Sequence, residues 1–97
     1  MKANAFIAQL NLTEKAGMVT GSAAGGSCIG NIAAIQRLNF SGLCLSDGPT
    51  AVNRADLVSI FPAGITTAAS WDRELMYERG FALGSEFRDK GTHVGLG

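Results

Sequence analysis

The chain has 97 residues, 46% of them apolar and 16% charged, with a formal net charge of zero from 8 basic and 8 acidic side chains. That length suits one domain at most, and the charge content falls below the usual quarter of a soluble domain, so much of the surface is expected to lie against something larger. No basic cluster with interleaved aromatics exists to bind nucleic acid, and the uncharged run 16–36 holds too many glycines and hydroxyls to span a membrane.

In chain order, residues 3–20 form a helical pattern with Phe6, Leu10 and residues 16–19 on an apolar face, interrupted at Asn11 and Thr13. Thr13 is a candidate cap for a second short helix, with Glu14 in its first turn. Residues 21–42 are rich in Gly and Ser and are expected to be mainly loop, broken by the apolar patch 32–35. Residues 21–30 lack a preceding strand and the spacing of a phosphate loop. Residues 43–46 (Leu-Cys-Leu-Ser) are apolar without alternation, as in a parallel strand covered on both faces. Asp47 follows at its carboxyl end, and Gly48-Pro49 turns the chain. In parallel α/β folds that end is where ligands bind.

The connection from Asp47 to Ser70 is longer than most, which marks a functional loop, and Phe61-Pro62-Ala63-Gly64 is a turn signal within it. A long helix is predicted over 71–90. Met76, Gly80, Leu83 and Phe87 make one stripe, and Ser70 or Asp72 caps its start. Glu86 and Lys90 make an i,i+4 pair and Gly91 supplies a left-handed stop. Gly80 and Gly84 are read as points of close approach to a neighbouring element. Trp71 is assigned to core packing rather than to a ligand-stacking platform. His93-Val94-Gly95-Leu96 is a second buried strand, with His93 a structural histidine. Asp72 and Glu86 are too far apart on the helix, about 21 Å at about 1.5 Å per residue, to act as a catalytic pair.

Strand, loop, helix, strand is one βαβ unit with a parallel pair and a right-handed crossover. Two strands cannot cover themselves, and the chain ends directly after the second. The expectation is therefore an N-terminal piece of a larger α/β protein. Residues 1–4 carry no signal-peptide pattern, so the chain is either cytosolic or lacks its true N-terminus. Cys28 and Cys44 lie 16 residues apart; if bridged, they would contribute roughly 3 kcal/mol through chain entropy. Two cysteines and one histidine do not make a closed zinc site. Asn11-Leu12-Thr13 and Asn39-Phe40-Ser41 are glycosylation sequons, and together with a cysteine pair they favour a secreted protein.

Several motifs, in order, resemble the start of the catalytic domain of fungal β-glucosidases of glycoside hydrolase family 3. They are residues 9–15 (Gln-Leu-Asn-Leu-Thr-Glu-Lys), Thr20-Gly21, residues 28–32 (Cys-Ile-Gly-Asn-Ile), Arg37-Leu38, residues 42–49 around Asp47, Phe61-Pro62-Ala63-Gly64, Ser70-Trp71-Asp72, residues 84–87 and residues 91–97. The resemblance covers nearly the whole chain. It implies an α/β fold: residues 1–97 as the opening part of a (β/α)8 TIM-barrel-like catalytic domain, incomplete here. It implies a retaining β-glucosidase that releases glucose from non-reducing ends of β-glucosides or cello-oligosaccharides, without metal or cofactor. The nucleophile and the acid/base of the family lie outside these residues, so no catalytic residue is assigned.

The family's carboxylate for the 4- and 6-hydroxyls of glucose matches Asp47. Its sugar-contacting arginine falls on Asn53, with Arg54 one position late. Either Arg54 takes that role as a second substrate-binding residue, or Asn53 makes a neutral contact. The resemblance further implies the rest of a catalytic domain as the partner of this stretch, and an extracellular glycoprotein with a Cys28–Cys44 disulfide and glycans at Asn11 and Asn39. The alternative function is a truncated, non-catalytic relative or a carbohydrate-binding remnant.

Overall fold

A computed structural model of the chain describes residues 2–22 and 28–96. The expectations for Met1, for the centre of the Gly-rich run (residues 23–27) and for Gly97 lie outside the described residues.

The frame of the site is a three-stranded sheet in the order β1-β2-β3: β1 is Gly30–Ile32, β2 is Leu43–Asp47 and β3 is Val94–Leu96. The expected parallel pair is present: Leu45 faces Val94, Ser46 faces Gly95 and Asp47 faces Leu96. The third strand was not expected. β1 runs antiparallel to β2, with Asn31 opposite Cys44, inside the stretch assigned to loop. Three residues of sequence Gly-Asn-Ile carry no periodicity of their own. Their pairing is tied by long-range links, the Cys28–Cys44 disulfide and the bond from Ile29 N to the Leu45 carbonyl (2.8 Å). Burial along β2 alternates, with Cys44 and Ser46 buried and Leu43, Leu45 and Asp47 half-buried. The expected cover on both faces is therefore only partial among the described residues.

Before the sheet lie α1 (Lys2–Ile7) and α2 (Leu12–Thr20). The break falls where the apolar face was interrupted, but the cap is Asn11 and not Thr13. Asn11 Oδ1 accepts from Glu14 N, and Glu14 Oε2 accepts from Asn11 N, each at 2.9 Å. This reciprocal capping box places Thr13 inside the first turn. Arg37, on the short 3₁₀ turn Gln36–Leu38, clamps the same junction. It donates to the Gln9 carbonyl (2.8 Å) and pairs with the Glu14 carboxylate. The hydrogen bonds from Arg37, and then the Asn11 amide, hold the Glu14 carboxyl below the usual range.

A short helix, α3 (Gly64–Ala68), leads to α4 (Arg73–Asp89). Asp72 is the cap: its Oδ1 accepts from Glu74 N (3.0 Å) and Leu75 N (3.1 Å). Ser70 instead accepts from Asp72 N (3.1 Å) and so braces the cap. Gly91, at φ +78°, turns the chain out of the helix. Leu83 and Phe87 are the buried part of the stripe and pack with Val52, Ala55, Val58 and Phe61 of the 48–63 loop.

Two expectations for this helix are corrected. Trp71 is 89% exposed, because it occupies a left-handed turn (φ 57°) between α3 and α4 rather than the buried stripe. Added Cβ atoms at Gly80 and Gly84 would meet nothing within 4 Å, so no described element approaches there. Glu86 and Lys90 form the expected pair at a distance, the lysine charge helping to hold the Glu86 carboxyl down, and both reach across to the 48–63 loop. Glu86 accepts from Ser59 N through both oxygens (2.9 and 3.1 Å), and Lys90 Nζ donates to the Asp56 carbonyl (2.7 Å). Backbone groups of an irregular loop have no ladder to satisfy them, so the helix side chains go there. Arg79 joins this clasp by donating to the carbonyls of Pro62 and Pro49.

The result is a small mixed α/β piece with little interior of its own. Its radius of gyration is 16.8 Å, against about 13 Å for a compact domain of about 100 residues. All three residues of β3 are exposed, as are Leu57, Ile60, Ile65, Tyr77 and Phe81. No described helix is long and apolar enough to cross a membrane.

Candidate active-site carboxylate

Asp47 is the last residue of β2, half-buried, at the carboxyl ends of two parallel strands. The turn after it can be built only with glycine. Gly48 has φ +146°, and a Cβ there would stand 1.7 Å from the Ala51 carbonyl oxygen. Gly48 N donates to the Leu96 carbonyl (3.2 Å), which ties the turn to the end of β3.

The chain then curls back on Asp47. Asn53 N donates to the Asp47 carbonyl (3.0 Å), and Asn53 Nδ2 donates to Asp47 Oδ1 (2.8 Å). Val52, only 2% exposed, anchors this curl in the core against Leu83 and Phe87. The carboxylate thus has one oxygen engaged by a neutral amide. Such a group can accept hydrogen bonds from the hydroxyls of a polyol, and charged acceptors make the stronger bonds of this kind.

Arg54 is exposed in a left-handed conformation (φ 56°), and no described hydrogen bond or ion pair joins it to Asp47. Of the two residues weighed for the second sugar contact, Asn53 is the one that hydrogen-bonds Asp47.

The other chemistry-bearing residues serve structure. His93 is exposed and sits just before β3, not within a buried strand. Its Nδ1 accepts from Cys44 N (3.0 Å), and its main-chain N–H donates to the Cys44 carbonyl (2.9 Å). Asp72 and Glu86 are occupied by the α4 cap and by Ser59, and hydrogen bonds from Ser59 hold the Glu86 carboxyl below its usual range. Cys28 and Cys44 form a disulfide. Asn11 and Asn39 are both exposed; Asn39 takes a left-handed conformation (φ 52°) at the end of the 3₁₀ turn. Among the described residues no three potential ligands gather as a metal site.

Comparison with known proteins gives these features a context. No family model matches the chain. It is 62% identical over 96 residues to a "Probable beta-glucosidase G" of Emericella nidulans, covering 99% of this chain and 12% of that protein. It is 58% identical over 96 residues to a protein of the same name from Aspergillus terreus, again covering 99% and 12%. Among solved structures, a β-glucosidase of Chaetomella raphigera superposes with a TM-score of 0.85 at 44% identity, over 99% of this chain and 14% of that one. A glycoside hydrolase family 3 β-glucosidase of Neurospora crassa gives 0.80 at 48% identity, over 99% and 12%.

A chain that superposes on these enzymes over nearly its whole length, at 44–48% identity, is a portion of a glycoside hydrolase family 3 protein. Within that family, the chain corresponds to a stretch of the fungal β-glucosidases. It spans about 12% of the length of the curated relatives it matches.

Proposed function

We propose that residues 1–97 form the opening part of a (β/α)8 TIM-barrel-like catalytic domain in a secreted, retaining β-glucosidase, and that Asp47 supplies part of its glucose subsite. The β2–α4–β3 order with a parallel strand pair is one βαβ step, the repeating unit of such a barrel. The open β3 edge and the unpartnered half of α4 fit burial against further units of the same domain.

In a retaining glycosidase one carboxylate attacks the anomeric carbon and another protonates the leaving oxygen, the two standing about 5–5.5 Å apart. Asp47 takes neither part in this reading. It accepts hydrogen bonds from the 4- and 6-hydroxyls of the terminal glucose and so holds the ring in place for a nucleophile supplied elsewhere in the domain. Its substrates are β-glucosides or cello-oligosaccharides. The Cys28–Cys44 disulfide and the exposed sequon residues Asn11 and Asn39 support an extracellular glycoprotein.

One observation carries this proposal: the Asp47 carboxylate stands at the carboxyl end of a parallel strand, beside a turn that only glycine can make. The test is Asp47→Ala in a full-length β-glucosidase carrying this stretch, assayed on an aryl β-glucoside. Two charge-assisted bonds at roughly 1.5–3 kcal/mol each set the expectation at a loss of at least about 100-fold in kcat/KM. A loss of twofold or less would refute the role.

A further inference from the structure

Resting on that reading of Asp47, we infer that Asn53 is a positioning residue for glucose recognition, acting through the Asp47 carboxylate. The geometry behind this is a double closure. The Asn53 main-chain N–H meets the Asp47 carbonyl at 3.0 Å and its side-chain amide meets Asp47 Oδ1 at 2.8 Å. Loop closure alone needs only the first of these bonds, which any residue except proline makes. The second fixes the plane of the carboxylate, because a carboxyl group on one rotatable bond is otherwise free to swing about it.

With Oδ1 held on one side, its remaining lone pair and both lone pairs of Oδ2 are left for hydroxyl donors. A bound glucose offers two donors, its 4- and 6-hydroxyls, at one end of the ring, so a carboxylate of fixed plane meets both without first losing rotational freedom. The amide is neutral. It therefore orients the carboxylate without cancelling its charge, whereas a guanidinium at the same place would compete for it. Arg54 makes no described hydrogen bond or ion pair with Asp47 and is exposed in its left-handed turn. The brace is itself held from behind: Val52, the residue before it, is packed in the core with Leu83 and Phe87.

The experiment is a double-mutant cycle in the full-length β-glucosidase carrying this stretch, using Asp47→Ala, Asn53→Ala and both together, with kcat/KM on an aryl β-glucoside and Tm as readouts. Asn53→Ala is expected to lower kcat/KM about tenfold, mostly through a higher KM. In the Asp47→Ala background the same change is expected to cost less than twofold, since the group it acts through is gone. Asn53→Asp keeps the shape of the side chain but lacks the N–H donor. It is expected to be at least as damaging as alanine, and it answers the question should the alanine variant fold poorly.

Kinetics of Asn53→Ala and Asn53→Asp within twofold of the parent, with Asp47→Ala crippled, would overturn the role of Asn53 alone. An undiminished Asn53→Ala effect in the Asp47→Ala background would overturn it as well. An Asp47→Ala enzyme with parental kinetics would instead bring down the underlying reading of Asp47.

Discussion

At the scale of single residues, the site depends on Gly48 as much as on Asp47. Gly48 adopts φ +146°, and its missing side chain makes room for the Ala51 carbonyl. Gly48→Ala forces a backbone shift between β2 and the 48–63 loop, because the clash is with main chain and no rotamer relieves it. The expected cost is more than about 2 kcal/mol, measured as a lowered midpoint in denaturant unfolding of the full-length protein. Activity should fall with it, since the same turn delivers Asn53 to Asp47. An alanine variant of parental stability would show that the turn has another backbone solution. The Asp47 signal was plain in the sequence, where an apolar run ends at a carboxylate followed by Gly-Pro. The Asn53 contact was not, because the five residues between Asp47 and Asn53 allow many closures and the sequence does not show that Val52 anchors this one in the core.

At the scale of elements, the polar side chains mostly act across element boundaries. Glu14 closes the α2 capping box while receiving Arg37 from the 3₁₀ turn, and Glu86 receives Ser59 from the loop. Both carboxyls are held below their ordinary range, Glu14 first by the hydrogen bonds from Arg37 and Glu86 first by those from Ser59. The sign follows from linkage. A group whose folded pKa is depressed stabilises the fold fully above its unfolded value, about 4.3 for Glu, and loses that contribution as pH falls through the lower folded value. Glu14→Gln should therefore flatten the acid limb of a Tm-against-pH curve below about pH 4.3 and leave its shape above pH 6 unaltered. An acid limb identical to the parent's would refute the coupling.

The elements themselves were legible to different degrees. β2, β3 and α4 each carry a local signature: an apolar run, an apolar run, and a capped stripe ending at Gly91. β1 carries none, since its pairing depends on a partner that lies 13 residues further along in register at Asn31 and Cys44. Trp71 misled for a related reason. An aromatic at a helix start suggests a buried face, yet the backbone there reverses before the helix begins.

At the scale of the whole molecule, the described chain is spread over 51 × 31 × 20 Å, with five buried apolar residues. Burial of that extent cannot offset about 1–2 kcal/mol of backbone entropy per ordered residue. The isolated 97 residues are expected to show no cooperative thermal transition by circular dichroism and no glucose binding by calorimetry. A sharp melt with saturable glucose binding would favour an autonomous carbohydrate-binding remnant instead. The composition had pointed the same way: 16% charged residues leave too little polar surface to solvate a free-standing domain. What the sequence withheld was the extent of the unpartnered surface, which follows from how few elements turn their apolar sides toward one another.

The placement of Val52 has one more consequence. Asn53 follows directly on a side chain wedged against Leu83 and Phe87, so the arm that steadies Asp47 is hinged on the helix. Repacking beneath that hinge moves the arm without altering any residue that a sugar would touch. If Asp47 holds glucose as proposed, substrate preference can thus drift through the interior, and two relatives with the same set of sugar-facing side chains need not grip glucose equally well.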